Sequence, residues 1–360
     1  MRVLFIVHGM GVHGDDWAGP VAAKLEEVAS RYQFFQRRPR TLADEVDIVP
    51  IGYDGEFTQH LERWNEETDA LRAFAETNQA LGDVVDLLDW LDDVDEVERN
   101  FFWSHAVDVA LYRYFQLVTR PVRLRIMKGV VDQLTTRMRG GAIVQASIMA
   151  HSLGTSVTHD ALADLSSEPI VDSRGRQSDA FMAGNFAFEN IFMVANVSRV
   201  LQTSPTPDES HVHPRSVRPL DAYCAHYYTF RHGLDPFPAV SPFDPQDWGN
   251  LFHAVAGLDH IHQPNVHDWE HYLDHPRVHI DLLNALLHGV IGDDERDAAI
   301  EEYPRVDETN PCAVAADEAR GALENVIGAV RRQDDPIKLI MAGVKFGAKV
   351  KELRNACAEG

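Results

Sequence analysis

The sequence predicts a doubly wound, mostly parallel α/β sheet with helices on both faces, a helical insertion and a helical C-terminal segment. Short apolar runs that read as buried strands alternate with amphipathic stretches from the first residues onward. Strand ends run into Gly-containing turns at His8-Gly9-Met10-Gly11 and His151-Ser152-Leu153-Gly154. The chain has 360 residues, 45% of them hydrophobic and 25% charged, the balance of an ordinary globular protein.

Val3 to Val7 is a continuous apolar run, followed by a helix-like stretch from Val21 to Arg31 with Val21, Leu25 and Val28 on one face. A second strand is predicted at Val46 to Tyr53. A long helical region at about 55–140 then breaks the rhythm of short crossovers and reads as a cap insertion. Alternation resumes with a strand at Ile143 to Ala150, a helix at Thr155 to Leu165, and strands at Ile191 to Asn196, Ala225 to Arg231 and Gly257 to His262. The stretch from Gln202 to Pro219 is polar and Pro-rich, as a surface excursion would be. Arg277 to Val290 carries Val278, Leu282, Leu286 and Val290 at four-residue spacing, the mark of a helix. From Gly292 the pattern is purely helical. The expected organisation is a core over 1–291 with its insertion, then an appendage over 292–360.

With 33 Lys and Arg against 56 Asp and Glu, the net charge of −23 removes the phosphate attraction that nucleic-acid binding needs. Cys224, Cys312 and Cys357 are too few and scattered for a disulfide framework or a four-ligand zinc site, which points to a reducing compartment. The apolar run Val3 to Val7 has no small-residue cleavage site behind it and reads as a strand rather than a signal peptide. No window reaches the roughly 18 apolar residues of a membrane span. The expected location is cytoplasmic.

Chemistry concentrates in a few places. Ile148-Met149-Ala150-His151-Ser152-Leu153-Gly154 lies between a strand and a helix, where a nucleophile elbow places a serine on a sharp turn. Such a turn requires small residues two before and two after, and Ala150 and Gly154 meet that demand. A helix-capping serine would occupy the same position. The Leu153 amide then becomes a candidate oxyanion donor, and the Gly-rich turn after the first strand offers the Met10 amide as a second. Asp235 follows a strand end and precedes Pro236, a suitable place for an orienting acid. The base is sought between Asn265 and Pro276: His267 sits nearest the strand end, while His271 and His275 would ride a forming helix and face outward. His267 is the first choice and His271 the second.

The order Ser152, Asp235, His267 resembles that of the α/β-hydrolase superfamily over residues 1–290 outside the insertion. The resemblance implies Ser152 as nucleophile, His267 as general base and acid, Asp235 as its orienting partner, and the Met10 and Leu153 amides as an oxyanion hole. Ala150 departs from the usual glycine but stays small. His8-Gly9-Met10-Gly11 is similar to the oxyanion turn of bacterial lipases and esterases. Asp108-Val109-Ala110-Leu111-Tyr112 is faintly similar to a stretch in DDHD-type intracellular phospholipases, without that group's metal-like residues. The implied activity is cleavage of carboxylic esters, lipid-like ones included, through an acyl-enzyme. A thioesterase or peptidase would use the same residues, and a binding or scaffold protein with vestigial catalysis is the reading from another class.

His267, His271, His275 and His279 recur every four residues, but Pro276 interrupts any helix through them and no HExxH accompanies them, so no metal or cofactor is expected. Asp83 to Glu98 holds eight acids and no Lys or Arg, the solvated face of a cap helix. The aromatics Phe101, Phe102, Trp103, Tyr112, Tyr114 and Phe115 read either as core or as the lining of an acyl-chain path under that cap. The segment 336–356 is a basic amphipathic helix that can lie on a membrane or a partner, or pack onto its own acidic body.

Overall fold

The computed structural model describes residues 1–9, 16–37, 40–53, 116–139, 141–171, 177–199, 212–215, 217, 221–261, 264–303, 310–331 and 336–359. The central sheet has six strands: β1 (Arg2–Val7), β2 (Val46–Ile51), β3 (Gln145–His151), β4 (Phe188–Val194), β5 (Cys224–His232) and β6 (Phe252–Leu258). Their order is β2-β1-β3-β4-β5-β6, and every pairing is parallel. A strand buried on both faces has no polar side to show, which is why β1 reads Val3-Leu4-Phe5-Ile6-Val7 without alternation.

The period-two geometry of a strand divides those residues between two cores. Val3, Phe5 and Val7 join Ile148 and Ala150 of β3 on one face. There they meet α2 (Gln116–Arg137) and α3 (Leu153–Ser167). Val122, Ile126, Val130 and Leu134 of α2 lie on one helical stripe, all buried. Leu4 and Ile6 face the other side with Met149 and Phe192. That side is covered by α1 (Ala18–Ser30), through Val21 and Leu25, and by α6 (Pro276–Leu287), through Val278, Leu282 and Leu286. Helices thus cover both faces, as expected for a doubly wound sheet.

Between β5 and α6 lie the short helices α4 (Pro236–Val240) and α5 (Trp269–Asp274). After α6 come α7 (Asp293–Glu301), α8 (Pro311–Arg331) and α9 (Pro336–Glu359). Among the described residues no helix is long and apolar enough to cross a membrane.

Several expectations change. The last strand spans Phe252–Leu258 rather than Gly257 to His262: its parallel pairing with β5 begins at Tyr227 opposite Phe252 and ends at His232 opposite Leu258, with a register shift beside Gly257 at φ 70°. The C-terminal end of the stretch read as an insertion is α2, a crossover helix packed on the sheet. Residues 54–115 of that stretch lie outside the described residues, with the acidic segment, the Asp108–Tyr112 likeness and the six aromatics from Phe101 to Phe115. Most of 202–219 lies outside them as well. The three cysteines, too few and scattered for a disulfide framework, form a single disulfide, Cys312–Cys357. An antiparallel hairpin of α8 and α9 brings these two positions, at the far ends of the two helices, together. Cys224 is free and wholly buried, and burial raises its thiol well above the usual range, so it is no thiolate nucleophile. In α9, Phe346, Val350 and Leu353 are buried against the body, while Lys349 pairs with Glu318 and Glu352.

Candidate active site

The crossovers from β1 and β3 run to opposite sides of the sheet, since β1 is followed by β2 on one flank and β3 by β4 on the other. Their carboxyl ends bound the crevice where an open parallel sheet receives a ligand. Both turns singled out in the sequence, at His8-Gly9 and at Ser152, lie there.

Ser152 alone separates β3 from α3, at φ 53° and ψ −129°. A residue with a Cβ occupies such a region at a cost of about 1–3 kcal/mol, so the surroundings must impose it. They do: the Ser152 N–H donates to the Val194 carbonyl at 3.0 Å, and the Ser152 carbonyl accepts from the Thr155 N–H at 2.9 Å and its hydroxyl at 2.6 Å. Glycines let the neighbouring turn close in. A Cβ on Gly154 would stand 2.1 Å from the His8 carbonyl oxygen, and one on Gly9 would stand 2.9 Å from the Ser152 Cβ. The small residue at 154 is therefore demanded by the end of β1 rather than by the serine itself. The Tyr53 hydroxyl, donating toward the His8 and Gly9 carbonyls at 2.9 Å each, holds that end in place.

Ser152, His267 and Asp235 come together. Ser152 Oγ is 2.7 Å from His267 Nε2, and His267 Nδ1 is 2.7 Å from Asp235 Oδ2. A carboxylate only accepts, so Nδ1 carries the proton and Nε2 presents its lone pair to the serine hydroxyl. Asp235 is wholly buried and also caps α4, its Oδ1 accepting the Phe237 N–H at 3.1 Å. His267 precedes Asp268, which caps α5 by accepting the Glu270 N–H at 2.9 Å. The two short helices thus anchor the loops that carry Asp235 and His267.

No family model matches this sequence, and no curated protein does. Among solved structures, a crystal structure of an uncharacterized protein from Pseudomonas aeruginosa is similar, at 11% identity and a TM-score of 0.34. The similarity covers 95% of this chain and 52% of the other, so the chain spans about half the length of that protein.

Leu153, the first residue of α3, is buried, and its amide belongs to the first turn, where amides have no acceptor within the helix. Met10, the other expected oxyanion donor, lies outside the described residues. His271, the second choice for the base, does not reach the serine. It stacks on His260 at 4.1 Å with the rings 7° apart, and its Nε2 donates to the His260 carbonyl at 3.1 Å. Its expected outward orientation, and that of His275, is corrected: both are buried. Reciprocal bonds make that burial tolerable, since His260 Nε2 in turn donates to the His271 carbonyl at 2.9 Å.

Ring nitrogens of His232, His260 and His271 lie within 4.8 Å of one another, a spacing that invites a metal. The rings argue otherwise. An imidazole binds a metal in its own plane, and two parallel rings stacked face to face cannot both direct a lone pair at one ion. His232 Nε2 also donates toward the His260 carbonyl at 2.9 Å, and its Nδ1 accepts the Leu234 N–H at 3.1 Å. Burial, reinforced by the neighbouring imidazoles, lowers the His232 pKa well below the ordinary histidine value. The cluster reads as a packed ladder of rings beside the Asp235 loop, with His232 held neutral by burial.

Three contributors escaped the sequence reading. His151 Nε2 donates to the His267 carbonyl at 2.7 Å. Phe237 packs on the His267 ring at 4.5 Å. The Tyr272 hydroxyl donates to Asp235 Oδ2 at 2.8 Å. The last contact joins residues 37 apart, on separate loops, and no local pattern announces it.

Proposed function

We propose that this protein is a serine hydrolase of the α/β-hydrolase type that cleaves carboxylic esters through an acyl-enzyme, with esterase, lipase or phospholipase-like action on apolar acyl groups. The observation that carries the reading is the chain of short contacts from Ser152 through His267 to Asp235, starting at a strained serine between β3 and α3. A capping serine needs neither that backbone nor a buried acid–base pair behind it.

In the reaction, Ser152 Oγ attacks the acyl carbon while its proton passes to His267 Nε2. Asp235 holds the ring's tautomer and offsets the imidazolium charge. The Leu153 amide, at the positive end of α3, faces the developing oxyanion. His267 then protonates the departing alkoxide oxygen, leaving the acyl group on Ser152. Water attacks that ester as His267 takes its proton, and His267 then returns the proton to Ser152 Oγ as the acyl–Oγ bond breaks and the carboxylic acid leaves. Phe237, with Phe346 of α9 packed on it at 5.4 Å, and Trp269, stacked on His151 at 4.9 Å, give the base apolar surroundings suited to an acyl substrate. The buried apolar face of α9 supports packing onto the protein's own body over a membrane-lying role for 336–356.

The test is labelling with a fluorophosphonate probe, wild type against Ser152→Ala, followed by a panel of p-nitrophenyl esters of increasing chain length. Labelling and turnover that require Ser152 are expected, with longer acyl chains preferred. A wild type that neither labels nor hydrolyses any ester would overturn the hydrolase reading in favour of a binding or scaffold role. Thioester or amide substrates turned over faster than esters would reassign the class.

A further inference from the structure

We infer that Tyr272 is a positioning residue for the reaction, acting through Asp235 as the second donor on the carboxylate oxygen that holds the base. This rests on the hydrolase reading above. A carboxylate with no solvent contact needs its lone pairs satisfied by protein donors. Oδ1 takes the Phe237 N–H, and Oδ2 takes both His267 Nδ1–H at 2.7 Å and the Tyr272 hydroxyl at 2.8 Å.

The direction of the tyrosine bond follows by elimination. The His232 N–H lies 3.0 Å from the Tyr272 oxygen, and an amide N–H can only donate. The phenol therefore accepts from His232 and aims its own proton at Asp235. One hydroxyl ties the end of β5, the acid's loop and the helix that follows the base. Tyr272 is wholly buried, and burial together with the Asp235 charge raises its pKa well above the ordinary tyrosine value, so it stays a donor at every working pH.

Sharing Oδ2 has a chemical consequence. Each charge-assisted bond draws electron density from the carboxylate, so the tyrosine limits how strongly Asp235 holds the His267 imidazolium. Removing the donor concentrates charge on the imidazole's partner and makes the base harder to deprotonate. It also removes one of two bonds that fix where Oδ2 stands.

The experiment measures the pH dependence of kcat/KM on a p-nitrophenyl ester, and of fluorophosphonate labelling, in wild type, Tyr272→Phe and a protein carrying 3-fluorotyrosine at position 272. Tyr272→Phe keeps the ring and removes the donor. Its plateau is expected to fall about tenfold, in kcat with KM little changed, and its acid limb to move to higher pH. The fluorinated phenol is a stronger donor, so its acid limb moves to lower pH. Should the Phe variant fail to fold, the fluorotyrosine protein alone decides. Acid limbs that coincide with wild type in the folded variants, whatever their rates, would overturn the inference and leave a packing role only. An absence of Ser152-dependent labelling in wild type would instead overturn the reading on which it rests.

Discussion

His151 Nε2 lies 2.7 Å from the backbone carbonyl oxygen of His267, so the residue before the proposed nucleophile holds the main chain that carries the proposed base. The His151 ring stacks on Trp269 at 4.9 Å, two residues beyond that base. The register between Ser152 and His267 is thus set outside the triad's own hydrogen bonds.

Replacing His151 with Ala should therefore slow Ser152 labelling while leaving Ser152, His267 and Asp235 in the sequence. Loss of a buried hydrogen bond and a ring contact predicts about 1–3 kcal/mol of destabilisation and a labelling rate lower by about tenfold or more. Urea unfolding and the probe's second-order rate constant read the two effects separately. An unchanged rate would mean the carbonyl contact has no part in aligning the base.

Gly154→Ala is expected to be more severe than a helix propensity scale suggests. In an ordinary helix the change is favourable by up to about 1 kcal/mol. Here the new Cβ meets the His8 carbonyl at 2.1 Å, and backbone on both sides must move. Destabilisation of roughly 2–3 kcal/mol or more, with loss of labelling, is predicted. A variant as stable as wild type would show that β1 and α3 are not pressed together there.

Stability should fall on mild acidification. Burial pushes His279 down to about 4 and His275 to about 3, the latter aided by His260, and holds His232 well below its ordinary value. In the unfolded chain each titrates near pH 6.5. Folding therefore requires the neutral forms: their contribution is complete above about pH 6.5 and is lost as the pH drops toward the folded values. Each such histidine removes up to about 1.4 kcal/mol per pH unit over that window. Urea midpoints at pH 7.5, 6.0 and 5.0 should fall in that order, and midpoints that do not change would contradict burial of His279, His275 and His232 in their neutral forms.

The disulfide should matter to the site as well as to the hairpin. Cys312 and Cys357 pack in one cluster with Val266, next to the base, and with Leu234, next to the acid. Closing a loop of this length stabilises by about 2–4 kcal/mol. Cys312→Ser with Cys357→Ser is expected to lower the thermal midpoint by several degrees and to slow labelling. A drop in stability with unaltered labelling would confine the hairpin to a structural role.

Much of the architecture was legible in the chain because local demands leave local marks. A strand buried on both faces must be apolar throughout, hence Val3 to Val7. The end of β1 lies so close to the turn after Ser152 that no Cβ fits two residues on, hence Gly154. An acid at a strand end that starts a short helix is followed by Pro, hence Asp235-Pro236. The ends of β6 carry no such local mark, because they are set by its pairing with β5 on one side only. A histidine on a helix is normally solvated, hence the outward expectation for His271 and His275; here His260, on another segment, accepts from the His271 ring and packs against both rings.

By itself, then, the sequence determined the parallel α/β class, the position of the turn at Ser152 and the short set of residues able to serve as acid and base, since these depend on periodicity and on backbone strain at single positions. Tertiary structure alone decided that His267 rather than His271 meets Ser152, that Tyr272 shares Asp235 with it, and that Cys312 pairs with Cys357. Each of these is a contact between segments dozens of residues apart. Hydrogen bonds and disulfides act over a few ångströms in space, and only the packed sheet and its loops bring such segments within that reach.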